Sequence, residues 1–236
     1  MINVSCVIGV VDEEESLIET INLILKNDSP LIKYEIVLVL APFATNTSRK
    51  IATEYSERDN RINFEEQKFP GIGGAYKQGF QNASGEIIIL MSSDLETDPN
   101  LIPIMVSTLV DNPKTDIVAI SRWINPNSFE GYSPILRTLN YIFQKLIKFL
   151  YGSDLTDFTY AFRAYRSESL KGIIWTERTH SFFLESLLRP VMQGASVLEI
   201  SGKWVARTQG DRHIERSAYW HYIKLAIILR VKKGYT

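Results

Sequence analysis

Residues 86–99 read Glu86-Ile-Ile-Ile-Leu-Met-Ser-Ser-Asp-Leu-Glu-Thr-Asp-Pro99. The apolar run Ile87 to Met91 is unbroken, which marks a strand buried on both faces, as in a parallel sheet. It ends abruptly in oxygen-bearing side chains: Ser92, Ser93, Asp94 and Glu96, with Asp98 following. The C-terminal ends of such strands are where open α/β sheets bind ligands. Asp94 and Glu96, two residues apart, point to the same side of an extended segment. Hard oxygen ligands so placed suit a divalent cation such as Mg²⁺, which takes one or two carboxylates plus substrate phosphates. The competing interpretation is structural: an acidic helix N-terminus, with Asp98 as cap and Pro99 at the first helical position.

The flanking chain repeats the strand pattern. Val4 to Val11 is a first buried strand, and Asp12, with Glu15 three residues on, starts a helix through Leu17, Ile18, Ile21, Leu23, Ile24 and Leu25. Tyr34 to Leu40 is a second strand, Ser48 to Glu57 is helical, and Ile62 to Phe64 is a short third strand. Gly71-Ile-Gly-Gly74 opens a helix over Ala75 to Gln81, closed by Ala83-Ser-Gly85. Asp116 to Ile120 is the fifth strand. Strand-helix alternation at this interval predicts an α/β, mostly parallel sheet.

Beyond residue 120 the pattern changes. An amphipathic helix runs from Pro134 to about Tyr151, with Ile135, Leu139, Ile142, Leu146 and Phe149 or Leu150 on one face. Phe158 to Tyr165 is aromatic and strand-like. Ser181 to Met192 is helical, with Glu185 inside an otherwise apolar run, and Ser196 to Ile200 is a strand. The segment from Lys203 is basic and ends in a helix over residues 217–233. No linker or repeat divides the chain, so residues 1–236 are expected to form a single domain, with a ligand-binding half (1–120) and a second half (121–236).

A net charge of −1 gives no reason to expect nucleic acid as a partner. One cysteine, Cys6, lies in an apolar run and fits a reducing compartment without disulfides. The three histidines, His180, His213 and His221, lack metal-ligand spacing. No secretory leader is visible and no apolar run reaches membrane-spanning length, which points to a cytoplasmic location. Gly71, Gly73 and Gly74 do not make a dinucleotide fingerprint, which would follow the first strand; they allow close approach of a helix to the sheet, or of backbone to a ligand. Arg122, Arg137, Arg163 and Arg207 each follow an apolar segment or a helix start. Arginine forks suit phosphate oxygens.

In this order the motifs resemble family 2 glycosyltransferases, in particular the polyprenyl-phosphate (dolichyl-phosphate) mannosyltransferase branch. Val7-Ile-Gly-Val-Val-Asp-Glu-Glu-Glu-Ser-Leu17 is similar to that branch's first strand and its Asn-Glu-Glu-x-x-Leu loop. Gly71-Ile-Gly-Gly-Ala75 matches Gly-Leu-Gly-Gly-Ala, and Ala83 to Pro99 falls on an Ala-Thr-Gly-Asp strand followed by Asp-Ala-Asp-Leu-Gln-x-x-Pro. Ser121-Arg122 falls on Gly-Ser-Arg, Arg137 on the next arginine, Asp157 to Tyr165 on Asp-Pro-Thr-Ser-Gly-Phe-Arg-x-Tyr, and Arg207-Thr-Gln-Gly210 on Arg-x-x-Gly. The match covers about residues 4–212.

The resemblance implies a GT-A type, Rossmann-like sheet flanked by helices, with a C-terminal amphipathic, basic helix. It implies an inverting, metal-dependent glycosyltransferase that moves a sugar from a nucleotide-sugar donor to a polyprenyl phosphate or a glycan, in cell-envelope polysaccharide or glycolipid synthesis. Mg²⁺ or Mn²⁺ would sit at Asp94 and Glu96. Glu13, Gly71, Gly73, Ser93 and Arg207 would line the donor, and Arg122 and Arg137 would meet the acceptor's phosphate. A lipid phosphate is already anionic, whereas a sugar hydroxyl needs a carboxylate base; Glu185 is the candidate, with a buried ion pair as its alternative. The two helices with basic flanks are candidates for peripheral contact with the inner membrane face. The chain also departs from the pattern. The family's paired aspartates after the second strand, which help hold the base, fall on Ala41 and Pro42. Its first metal-motif aspartate is Ser92, its glutamine is Glu96, and Ser-Gly before Phe-Arg is Tyr160-Ala161. Asp211-Arg212-His213 stands where the family has Ser-Lys. The alternative class is therefore a degenerate GT-A binding or scaffold protein.

Overall fold

The structure, a computed structural model, describes residues 1–207 and 218–233. In chain order its strands are β1 (Ile2–Val10), β2 (Ile32–Leu40), β3 (Ile62–Glu66), β4 (Ile87–Ser92), β5 (Ile117–Ser121), β6 (Phe129–Glu130), β7 (Arg163–Arg166), β8 (Val197–Ser201) and β9 (Trp204–Val205). The helices are α1 (Glu15–Lys26), α2 (Asn46–Arg58), α3 (Gly71–Asn82), α4 (Ile102–Asp111), α5 (Pro134–Tyr151), α6 (Phe182–Met192) and α7 (Ala218–Lys233). A seven-stranded sheet has the order β3-β2-β1-β4-β7-β5-β8, and β6 pairs with β9 in a two-stranded ribbon. Every pairing in the large sheet is parallel except those of β7, which runs antiparallel between β4 and β5.

The apolar runs alternate between two cores, as a pleat with both faces covered requires. Ile87, Ile89 and Met91 join Val4, Cys6 and Ile8 in one core, with Leu17 and Ile21 of α1 and Met105 and Leu109 of α4. Ile88 and Leu90 join Val7, Val37 and Val39 in the other, with Tyr76 and Phe80 of α3 and Leu184 and Leu187 of α6. Each such aliphatic side chain removed from water contributes roughly 1.5–3 kcal/mol. The polar residues that follow β1 and β4 are consequently brought together at one edge of the sheet.

Two sequence expectations change. The aromatic run from Phe158 is a strand only from Arg163. Its first residues leave the ladder because side chains take their backbone donors: Gln144 Oε1 accepts from Phe158 N at 2.8 Å, and Asp157 Oδ1 accepts from Thr159 N and Tyr160 N at 3.3 and 3.1 Å. The α1 helix starts at Glu15, with Glu14 rather than Asp12 before it and no side-chain cap. Asp98 does cap: Oδ1 accepts from Asn100 N at 2.9 Å, and Pro99 opens a 3₁₀ turn leading into α4.

The apolar stripe of α5 faces outward. Gln144 and Ile147 are buried, whereas Ile135, Leu139, Ile142, Leu146 and Phe149 are exposed, Phe149 by 87%. Helix α7 lies beside it, with Tyr151 Oη donating to Ala226 O at 2.7 Å and Arg230 Nε to Leu150 O at 2.9 Å. On α7, Leu225, Ala226 and Leu229 are buried while Trp220, Ile227, Ile228 and Val231 are exposed, so its apolar residues are not confined to one face. No helix among the described residues is long and apolar enough to cross a membrane.

Gly79 is where α3 meets the sheet most closely, since a Cβ there would lie 2.2 Å from Val7 Cγ1. Gly79→Ala should lower unfolding free energy by about 1–3 kcal/mol, an overpacking penalty. Urea denaturation checks this; unchanged stability would mean the helix is free to move off the sheet.

Candidate active site

Strand β4 delivers its polar residues at the sheet edge beside the end of β1. Ser93 is buried and its Oγ donates to Gly9 O at 3.4 Å. Asp94, only 8% exposed, accepts through Oδ1 from Ser92 Oγ at 2.6 Å and from Glu96 N at 3.1 Å. The second bond closes a tight turn around Leu95, the only non-glycine among the described residues with positive φ, at 57°. Such a conformation costs roughly 1–2 kcal/mol for a side-chain-bearing residue. The carboxylates thus converge through a bend, where an extended segment was expected from their spacing.

What they converge on is a guanidinium. Arg207 Nη2 donates to Asp94 Oδ2 at 2.8 Å and its Nε to Glu96 Oε1 at 3.1 Å. Glu96 Oε2 accepts from Trp204 Nε1 at 2.9 Å. Tyr160 Oη lies within hydrogen-bonding distance of Glu96 O and Lys203 O, at 3.0 and 3.1 Å. Burial works against the charge on Arg207, but Asp94 and Glu96 outweigh it and raise its pKa. Glu13 stands close by: Oε2 accepts from Val11 N at 2.7 Å, and its carbonyl from Ser48 Oγ at 2.8 Å. Burial raises the Glu13 carboxyl above its ordinary value, and the Asp94 charge adds to the effect.

A divalent cation fits this donor set. Two carboxylates already hold one positive charge between them, and both offer hard oxygen. Among the described residues there is no group of three or more His, Cys, Asp or Glu side chains to complete a protein-only cage. Asp94 and Glu96 would therefore leave most of the cation's positions to phosphate oxygens and water, as Mg²⁺ sites commonly do.

The glycines of α3 serve a close backbone contact. Gly73 N donates to Arg178 O at 3.0 Å. A Cβ on Gly71 (φ +76°) would lie 2.1 Å from Arg178 O, and one on Gly73 would lie 2.3 Å from Glu177 O. Glu185 holds that same loop from below. It is fully buried and accepts from Thr176 N at 3.0 Å, Thr176 Oγ1 at 2.6 Å, Glu177 N at 2.9 Å and Arg189 Nε at 2.6 Å. Its geometry is that of the buried ion pair.

Arg122 is nearly buried and grips Asp157 in a fork, Nε to Oδ2 at 2.7 Å and Nη2 to Oδ1 at 2.9 Å. Burial opposes its charge, yet the Asp157 carboxylate raises its pKa. Its guanidinium carbon also lies 4.6 Å from the Tyr160 ring centre and 5.7 Å from that of Phe129. Arg137 covers Phe129 at 4.8 Å and donates to Pro126 O at 2.9 Å. Both arginines thus meet at one ring. Arg163 lies apart from them, wholly buried, with Nη1 on Ser186 Oγ at 2.9 Å. Phe129 belongs to a row of rings, Tyr141, Trp123, Phe129, Tyr132 and Trp204, with successive centres 5.3, 4.6, 5.3 and 4.8 Å apart. The row ends at Glu96. Sequence reasoning missed Trp204 as a partner of Glu96, and β9, which carries it, is only two residues long.

At Ala41 and Pro42, where the resemblance places an acidic pair, an arginine organises the backbone. Arg49 Nη2 donates to Ala41 O at 2.8 Å and Pro42 O at 3.2 Å, and its Nε to Ala44 O at 3.2 Å. Nη1 pairs with Glu66. Thr208 to His213, including the rest of the Arg-x-x-Gly motif, lie outside the described residues.

The family model described as Glycosyl transferase family 2 matches residues 5–174. A dolichol-phosphate mannosyltransferase of Pyrococcus furiosus is 25% identical over 224 residues, 94% of this chain and 62% of that protein. An undecaprenyl-phosphate 4-deoxy-4-formamido-L-arabinose transferase of Proteus mirabilis is 26% identical over 181 residues, 76% of this chain and 53% of that one. The chain thus spans between half and two thirds of the length of these curated relatives. In three dimensions it is similar to glucosyl-3-phosphoglycerate synthase from Mycobacterium tuberculosis, solved with Mn²⁺, uridine diphosphate and phosphoglyceric acid. The TM-score is 0.74 at 14% identity, over 98% of this chain and 78% of that one, a likeness of fold.

Arg122→Ala leaves Asp157 buried without its counter-charge and should destabilise the protein by about 3–5 kcal/mol. Adding Asp157→Ala should recover part of that loss. A double-mutant cycle by urea denaturation checks this; additive effects would show that the two charges do not depend on each other.

Proposed function

The chain belongs to glycosyl transferase family 2, and we propose that it is an inverting enzyme that transfers a sugar from a nucleotide-sugar donor to a polyprenyl phosphate. The observation that carries this is the pair Asp94 and Glu96, held at one point on the edge of the sheet beside Glu13 and Arg207. Mg²⁺ or Mn²⁺ at Asp94 and Glu96 would act as a Lewis acid toward the leaving diphosphate. Arg207 supplies a second positive charge for the same group. Gly71 and Gly73 instead seat the 177–178 loop against α3, and Glu13 and Ser93 shape the floor.

The acceptor side is built around Phe129. Arg137 covers that ring and donates only to a carbonyl in the contacts described, so its fork is suited to an acceptor phosphate. Arg122 is a positioning residue, locked by Asp157 so that its guanidinium holds the Phe129 ring of β6. Glu185 is likewise a positioning residue, because its oxygens are occupied by the 176–177 loop and Arg189. Without a carboxylate base free at that position, an acceptor that is already anionic fits better than a sugar hydroxyl. The exposed stripe of α5, with Lys145 and Lys148 on the same helix, gives a lipid-linked acceptor a place to meet the enzyme at the inner membrane face.

Two measurements test this. A donor screen that reads nucleoside diphosphate release should give turnover only with metal and polyprenyl phosphate together, and Asp94→Ala should lower it by at least about 10²-fold. Silence with every donor would favour a binding or scaffold protein instead. Separately, the wild-type chain should sediment with anionic vesicles, and Ile142→Glu with Leu146→Glu should abolish this while leaving donor binding intact. Equal sedimentation of both proteins would remove α5 from the proposal.

A further inference from the structure

Each of the four carboxylate oxygens of Asp94 and Glu96 already has a donor. Asp94 Oδ1 takes Ser92 Oγ at 2.6 Å and Glu96 N at 3.1 Å, and Glu96 Oε2 takes Trp204 Nε1 at 2.9 Å. The remaining two oxygens, Asp94 Oδ2 and Glu96 Oε1, take Arg207 at 2.8 and 3.1 Å. Three of these donors belong to the turn itself or to a buried indole. The guanidinium, by contrast, ends a side chain 23% exposed, and it has an alternative class of acceptor in phosphate oxygens. A free divalent cation reaching this site meets two carboxylates already neutralised in part by Arg207, with no oxygen left unengaged. Ser92 adds to this, since it donates a hydrogen bond to Asp94 where a third carboxylate would have drawn a cation in.

We propose that Arg207 is a resident counter-cation that keeps the divalent metal out until the donor's diphosphate arrives. The proposal rests on Asp94 and Glu96 being the metal site. The diphosphate draws the guanidinium off Asp94 Oδ2 and Glu96 Oε1, which frees these two carboxylates to hold a cation. Metal and nucleotide therefore bind synergistically, and the metal alone binds poorly. No covalent bond is made or broken: a singly charged guanidinium leaves the two carboxylates for the diphosphate, and the doubly charged cation that would replace it has its extra charge balanced by the same diphosphate.

The test is Mn²⁺ binding, read by electron paramagnetic resonance of the free ion, with and without uridine or guanosine diphosphate. The wild-type protein should bind Mn²⁺ weakly alone and about tenfold or more tightly with a diphosphate, a typical coupling between two sites. Arg207→Ala and Arg207→Gln should bind Mn²⁺ alone about tenfold more tightly than wild type, with the synergy lost. Asp94→Ala should not bind it. If both Arg207 variants bind Mn²⁺ no more tightly than wild type while Asp94→Ala loses it, the metal site stands and the role of Arg207 falls. If no protein binds Mn²⁺ even with a diphosphate, the metal site itself falls. The wild-type chain gives an answer that needs no variant to fold: Mn²⁺ should quench tryptophan emission, through Trp204 beside Glu96, only when a diphosphate is present. Quenching by Mn²⁺ alone to the same extent would overturn the proposal.

Discussion

Two like charges held at one point near the end of a buried strand are the constraint on which the rest depends. Asp94 and Glu96 repel each other, and the turn that aims them together uses a left-handed leucine. That arrangement persists only if the surroundings over-determine it. Asp94 is fixed from its own turn by Ser92 and the Glu96 amide, Glu96 from the far side by Trp204, and both by Arg207. Strand β4, buried on both faces, supplies the rigid base from which the turn projects.

The first half of the chain was legible because its signals are local and mutually consistent. Apolar runs of strand length, spaced by helices, can bury both faces only in a mostly parallel sheet, and the motif order around Asp94 shows which edge carries polar groups. Even there, the geometry between Asp94 and Glu96 was not legible. Residue spacing says that they share a side of an extended chain; only the Asx-type bond from Glu96 N to Asp94 reveals the bend.

The second half was harder because its order comes from long-range polar contacts. Asp157 reaches back 35 residues to Arg122, and Gln144 of α5 reaches forward to Phe158. These bonds turn an aromatic run that reads as a strand into a loop, and no periodicity records them. Glu185 illustrates the same limit. An acid inside an apolar helix fits a catalytic base and a buried pair equally well on paper, and the 176–177 loop folding over it decides the geometry. The α5 stripe was visible as a pattern, but the pattern alone gives no sense of inside and outside. Buried Gln144 and Ile147 fix that.

The most direct measurement is a crystal structure of the protein grown with Mn²⁺ and a nucleoside diphosphate, with the metal located by its anomalous scattering. The peak should lie bonded to carboxylate oxygens of Asp94 and Glu96 and to the diphosphate. A diphosphate bound elsewhere on the sheet edge, or a metal peak away from both carboxylates, would contradict the assignment of this edge as the donor site.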